Sequence, residues 1–138
     1  ESLAAANWTR AYLGSGNRVA ADRINSLLMG SFGLQRPVTH IGDEVDVSLL
    51  YFSAILGKKE QETLAKGQIR YVVVDRRLST ALPRLGIYFE SGELDSYKHK
   101  TPIPPASLAK FDQVENVSRV FDSGNILIYD MGAWNGQP

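Results

Sequence analysis

The chain has 138 residues, 43% apolar and 22% charged, a balance that builds one globular domain and excludes a repeat array, a coiled coil or a disordered tail. Fifteen basic residues cancel fifteen acidic ones, so no long-range field draws a nucleic acid. There is no cysteine, and His40 and His99 are the two histidines, which excludes thiolate nucleophiles, cysteine zinc sites, redox pairs and histidine metal clusters.

In chain order, residues 3–13 carry a helical pattern with Ala4, Trp8, Ala11 and Tyr12 on one face and Gly14 to end it. Residues 17–21 predict a short strand, and Asp22 stands as N-cap of a helix whose stripe is Ile24, Leu27, Leu28 and Phe32, closed by Gly33. Residues 38–41 predict a second strand after a turn at Arg36-Pro37. Asp46 then caps a helix with Val47, Leu50, Tyr51 and Ala54 inward, ended by Gly57. Residues 58–66 predict a solvent-facing helix laced with opposite charges. The nearly continuous β-branched run 69–75 predicts a strand covered on both faces and central in the sheet. Alternating strands and helices over 17–75 imply βαβ units.

Beyond Asp75 the texture changes. Pro83, Gly86, Gly92 and the segment 101–105 mark a long irregular connection, with Pro105 opening a short helix through Lys110. Residues 119–122 and 125–130 predict a hairpin turning at Ser123-Gly124, and 131–138 a frayed tail. The predicted fold class is therefore α/β: a layered, Rossmann-like single domain over residues 1–138, with a mixed sheet, parallel central strands and a C-terminal β-hairpin.

Chemistry-bearing residues are sparse. Gly14-Ser15-Gly16 follows a helix and precedes a strand, the reverse of a dinucleotide loop, and reads as a turn. Asp22-Arg23 and Asp75-Arg76-Arg77 fall at the C-terminal ends of predicted parallel strands, the edge where ligands collect in open α/β sheets. Two carboxylates and three guanidinium groups lining one crevice would suit hydroxyl-rich sugars or a phosphate. Both aspartates also have structural readings, Asp22 as a helix cap and Asp75 as an ion-pair partner. The acidic cluster 43–46 lacks the alternating ligands of a calcium loop and reads as a solvated turn with a cap. His40 and His99 lack any nucleophile motif and read as surface residues, so no catalytic or metal-ligating residue is assigned. Asn7-Trp8-Thr9 and Asn116-Val117-Ser118 match the N-glycosylation pattern and are compatible with an extracytoplasmic home.

The phrases at 18–23, 69–75, 111–112 and 119–130, with the order of segments, resemble the extracytoplasmic C-terminal domain of polytopic membrane glycosyltransferases of the dolichyl-phosphate-mannose mannosyltransferase kind, which depend on lipid-linked sugars. The resemblance spans nearly the whole chain, through strand and turn patterns. It implies a parent with transmembrane helices before Glu1 and a polyprenyl-phosphate sugar as donor. Its catalytic acids would lie in membrane loops outside this chain, which itself would hold no cofactor. The first residue, Glu1 rather than Met, reads as a piece of a longer or processed chain. The partners implied are the membrane-embedded remainder of the same chain and a glycan or protein acceptor. A Trp-Trp-Asp-Tyr-Gly type of motif is absent, which argues against close relatives of the oligosaccharyltransferase catalytic subunit. The alternative is a free-standing α/β enzyme or sugar- or phosphate-binding module working at the Asp22 and Asp75 crevice.

Overall fold

The computed structural model describes residues 1–134 and 136. Its five-stranded sheet has the order β2-β1-β3-β5-β4, with β1 Arg18–Ala20, β2 Arg36–Pro37, β3 Tyr71–Asp75, β4 Ser118–Asp122 and β5 Ile126–Asp130. The strands β2, β1 and β3 run parallel, whereas β5 pairs antiparallel with β3 from Tyr71↔Asp130 to Asp75↔Ile126, and β4 pairs antiparallel with β5. The mixed sheet and the terminal hairpin match the sequence-based expectation. So does the central place of β3, all five of whose residues are buried.

Alternation along β3 divides the core in two. Tyr71 and Val73, with Val19, Ile126 and Ile128, face Ala5 and Ala6 of α1 (Ser2–Tyr12) and Met29 of α2 (Arg23–Ser31). Val72 and Val74, with Ala20, Leu127 and Tyr129, face the opposite layer. That layer holds Leu50 and Tyr51 of α4 (Ser48–Phe52), Leu64 of α5 (Lys58–Gly67), and Leu108 of α6 (Pro105–Ala109), together with Phe89 and Phe111. The link from β1 to β2 thus runs through α2 on one face. The link from β2 to β3 runs through α3 (His40–Asp43), α4 and α5. Because β1 has β2 on one side and β3 on the other, the chain changes winding direction between β1 and β3, which makes their C-terminal ends a topological switch point.

Both amphipathic stripes on the α1–α2 layer differ from the pattern reading. On α1 the buried side chains are Ala5, Ala6 and Thr9, with Trp8 half-buried against Phe121, while Ala4, Ala11 and Tyr12 face solvent. On α2 the buried residues are Asn25 and Met29, while Ile24, Leu27 and Phe32 are exposed. Close approach of the two helices is the reason. A Cβ on Gly33 would sit 2.7 Å from both Met29 O and Thr9 Oγ1 and 3.0 Å from Ala6 O, so only small side chains fit between them. Gly33 serves this contact, and the left-handed residue past the helix end is Leu34.

Other boundaries shift for local reasons. The strand expected at 38–41 is at Arg36–Pro37, and Thr39 turns the chain into α3 by accepting the Gly42 N–H at its hydroxyl. The helix expected to end at Gly57 stops at Phe52, leaving Ala54 exposed outside it, and Asp46 accepts the Ser48 N–H. The helix expected at 58–66 runs Lys58–Gly67, buries Glu60, Thr63, Leu64 and Gly67, and is therefore only partly solvent-facing. In the hairpin, Ser123 N–H donates to Ile126 O, so the central turn residues are Gly124-Asn125, with Gly124 at φ +101° in the backbone region glycine favours. Val120 forms an irregularity between the Arg119 and Phe121 pairs of this edge. The segment read as a frayed tail instead buries Met131, whose N–H donates to Arg70 O, and packs Trp134 on the core. Residues 135, 137 and 138 of that expectation lie outside the described residues.

Candidate functional site

The crevice forms at the switch point because two strands end there in aspartate. Asp22 follows β1 and caps α2, its Oδ1 accepting the Ile24 and Asn25 N–H groups at 3.1 Å each. Its Oδ2 accepts the Asn25 side-chain amide at 2.6 Å. The same Nδ2 reaches Asp75 Oδ2 at 3.2 Å, so one amide bridges the two strand ends. Asp75 closes β3 and caps the 3-10 turn Arg76–Ser79, accepting Arg77 N–H at 3.0 Å. The Arg77 guanidinium grips it with Nε at 2.9 Å and Nη2 at 2.7 Å, a bidentate pair.

The two carboxyls titrate in opposite directions. Burial raises the Asp22 carboxyl, assisted by the Asp75 charge and only partly offset by the Asn25 hydrogen bonds. Burial also acts upward on Asp75, but the Arg77 side-chain and backbone hydrogen bonds and the Arg77 charge outweigh it and leave Asp75 below the usual carboxylate range. Behind them Tyr51 donates to Val73 O at 2.7 Å, and burial, with the Asp22 charge, lifts its phenol well above the usual value.

Above this floor lies a cleft of about 360 Å³, walled by Ile24, Leu78, Leu82, Pro83, Ile87 and Tyr88 and rimmed by Arg23, Arg77 and Arg84. Four of the five sequence-predicted residues, Asp22, Arg23, Asp75 and Arg77, are brought together here. Arg76 is not: it turns to the hairpin, where Nη1 donates to Gly124 O at 3.2 Å. Sequence reasoning missed Asn25 and Arg84. Asn25 had a signal, since it stands three residues after the cap, the position from which a polar side chain reaches back. Arg84 had none, lying in the irregular connection.

A second cleft, of about 460 Å³, opens between Phe52 and the 94–104 segment. His99, expected at the surface, is buried beside it with Nε2 2.8 Å from Glu93 Oε1, in ring contact with Phe52 and Tyr88. Glu93 also accepts the N–H groups of Tyr88, Phe89 and Glu90, which fixes the connection at this point. The acidic cluster 43–46 is engaged locally, Asp43 pairing with Arg18 at 2.7 Å. Burial pulls Lys110 down to about 8, opposed by the Glu60 charge, and its Nζ donates to Ser53 O at 2.7 Å. Of the glycosylation-type triplets, the first lies within α1 with Thr9 buried and donating to Ala6 O, and the second has Asn116 exposed before β4. Among the described residues no helix is long and apolar enough to cross a membrane, and no three His, Asp or Glu are grouped to hold a metal ion.

No protein-family model matches the chain, and no curated protein matches it. Among solved structures it is similar to the C-terminal globular domain of an oligosaccharyltransferase from Archaeoglobus fulgidus, with a TM-score of 0.59, 14% identity, and coverage of 92% of this chain and 94% of that one. At this identity it is a likeness of fold.

Proposed function

We propose that the chain is an accessory domain of a membrane glycosyltransferase, set on the extracytoplasmic face and without chemistry of its own. The observation that carries this reading is the fold shared, end to end, with a C-terminal globular domain of an oligosaccharyltransferase. The strand phrases that resemble the mannosyltransferase kind add the donor: a polyprenyl-phosphate-linked sugar, handled by the membrane-embedded remainder of the chain. The domain's work in that setting is to hold a glycan or protein acceptor, steady neighbouring loops or mediate assembly.

The free-standing enzyme or sugar module draws less support from the crevice. Both oxygens of Asp22 and of Asp75 are already engaged by backbone N–H groups, Asn25 or Arg77, and among the described residues no serine, threonine or lysine lines the cleft above them. The test is the full-length gene. A multi-span hydrophobic region ahead of Glu1, with glycosyl transfer from a polyprenyl-phosphate donor lost when residues 1–138 are deleted, is the expected result. A complete short reading frame with only a signal peptide ahead of Glu1 overturns the reading.

A further inference from the structure

We propose that the face bearing the switch-point cleft docks on an anionic lipid surface. Two helical turns and one loop meet there. Ile24 and Leu27, three residues apart on α2, stand 52% and 65% exposed; across the cleft stands Leu82, 49% exposed, and three residues further along the loop Leu85, 74% exposed. Ile24 and Leu82 line the same cleft, which makes the aliphatic surface continuous with it. Leu85 is held at φ +61°, a region that branched and bulky side chains seldom adopt, and the strain gains it no packing inside the fold. The face therefore presents apolar groups that its own core does not use.

The charges on the same face select the occupant. Arg23 and Arg84 rim the cleft, and neither guanidinium has an ion-pair partner among the described residues. The two acidic residues of the cleft, Asp22 and Asp75, lie buried on its floor, and Arg77 neutralises Asp75. The mouth of the cleft is apolar and positive, although the whole chain is neutral; Glu90 lies beyond Arg23, where its carboxylate accepts the His40 N–H. A second copy meeting this face symmetrically would set these arginines against themselves. An anionic bilayer instead takes the aliphatic side chains into its headgroup boundary while the guanidinium groups stay at phosphate level. This surface would meet such a bilayer whatever the parent chain is.

The test is cosedimentation of the 138-residue chain with vesicles of phosphatidylcholine alone or one-third phosphatidylglycerol. Binding to the anionic vesicles, weakening with salt, is expected. Arg23→Gln and Arg84→Gln should each weaken it about fivefold, the contribution of one cation near an anionic surface. A double Leu82→Ser, Leu85→Ser variant should weaken it about tenfold or more. Lys59→Gln, on α5 in the opposite layer, should leave it unchanged. Four results overturn the proposal: no binding to anionic vesicles; equal loss with Lys59→Gln; a solution dimer that the leucine double variant dissociates, which makes the occupant a second copy; or full release by millimolar inorganic phosphate at constant ionic strength, which makes the face a free-anion pocket.

Discussion

Replacing Asn25 by alanine removes the amide that joins the ends of β1 and β3. The 2.6 Å contact with Asp22 and the 3.2 Å contact with Asp75 are both hydrogen bonds to carboxylates, together about 3–4 kcal/mol after solvent exchange. Two terms offset this. The Asn25 Oδ1 is buried without a hydrogen-bond partner among the described residues, so deleting it relieves about 1 kcal/mol. Alanine also favours the helix over asparagine by about 0.5 kcal/mol. The expected net loss is about 2 kcal/mol at pH 7. With an unfolding entropy of about 0.3 kcal/mol/K for a domain of this size, the melting temperature falls by about 7 °C. The loss should also depend on pH. Without the amide, the Asp22 carboxyl loses a hydrogen bond that lowers it and rises further above its ordinary 3.8. A raised carboxyl destabilises the fold once it must ionise, so the variant's extra penalty is present at pH 7 and shrinks as pH falls toward 4. Urea denaturation at both pH values reads it. A loss under about 0.5 kcal/mol at pH 7, or an equal loss at both, refutes the argument that Asn25 is the pin between the strands.

The remaining predictions concern packing and buried charge. Gly33→Ala forces a Cβ within 2.7 Å of Met29 O and Thr9 Oγ1 and should cost about 1–3 kcal/mol, lowering the melting temperature by about 4–10 °C. Lys110, at about 8 in the fold against an ordinary 10.5, leaves the unfolded chain binding more protons between those values. Stability should therefore rise across that interval by at most about 3 kcal/mol, and Lys110→Met should flatten the rise in denaturation measured at pH 8 and 10.5. Glu93→Gln turns an amide donor toward backbone N–H groups and should cost about 2–4 kcal/mol, with protease cleavage appearing first between residues 86 and 100.

The elements legible in the sequence are those whose burial and composition agree. The run at 71–74 is apolar and buried on both faces, and the Asp22 cap and the glycine-containing hairpin turn have local chemistry that tertiary context does not alter. Ile24, Leu27 and Phe32 misled because apolar residues need not be inside: α2 turns Asn25 and Met29 to the core, held so by the Asn25 bonds to Asp22 and Asp75 and by the close contact of Gly33 with Thr9 in α1. Nothing local marks that contact, whose partners stand more than twenty residues apart. His99 failed for a related reason, since its burial depends on Glu93 and on the Phe52 ring of α4, which sequence alone does not bring near.

The same rotation links fold to function. By turning its polar Asn25 inward to join two carboxylates, α2 spends its inner face on holding the switch point together and leaves its aliphatic stripe outside, beside the exposed Arg23. In a chain with no net charge and almost no catalytic vocabulary, the misread stripe thus becomes the feature that sets the domain against another surface. A variant with Ile24→Ser and Leu27→Ser separates the two roles. Its melting temperature should stay within about 2 °C of the parent, because exposed side chains contribute little to the fold, while its affinity for anionic vesicles falls about tenfold. A large loss of stability instead would place the stripe in the core after all.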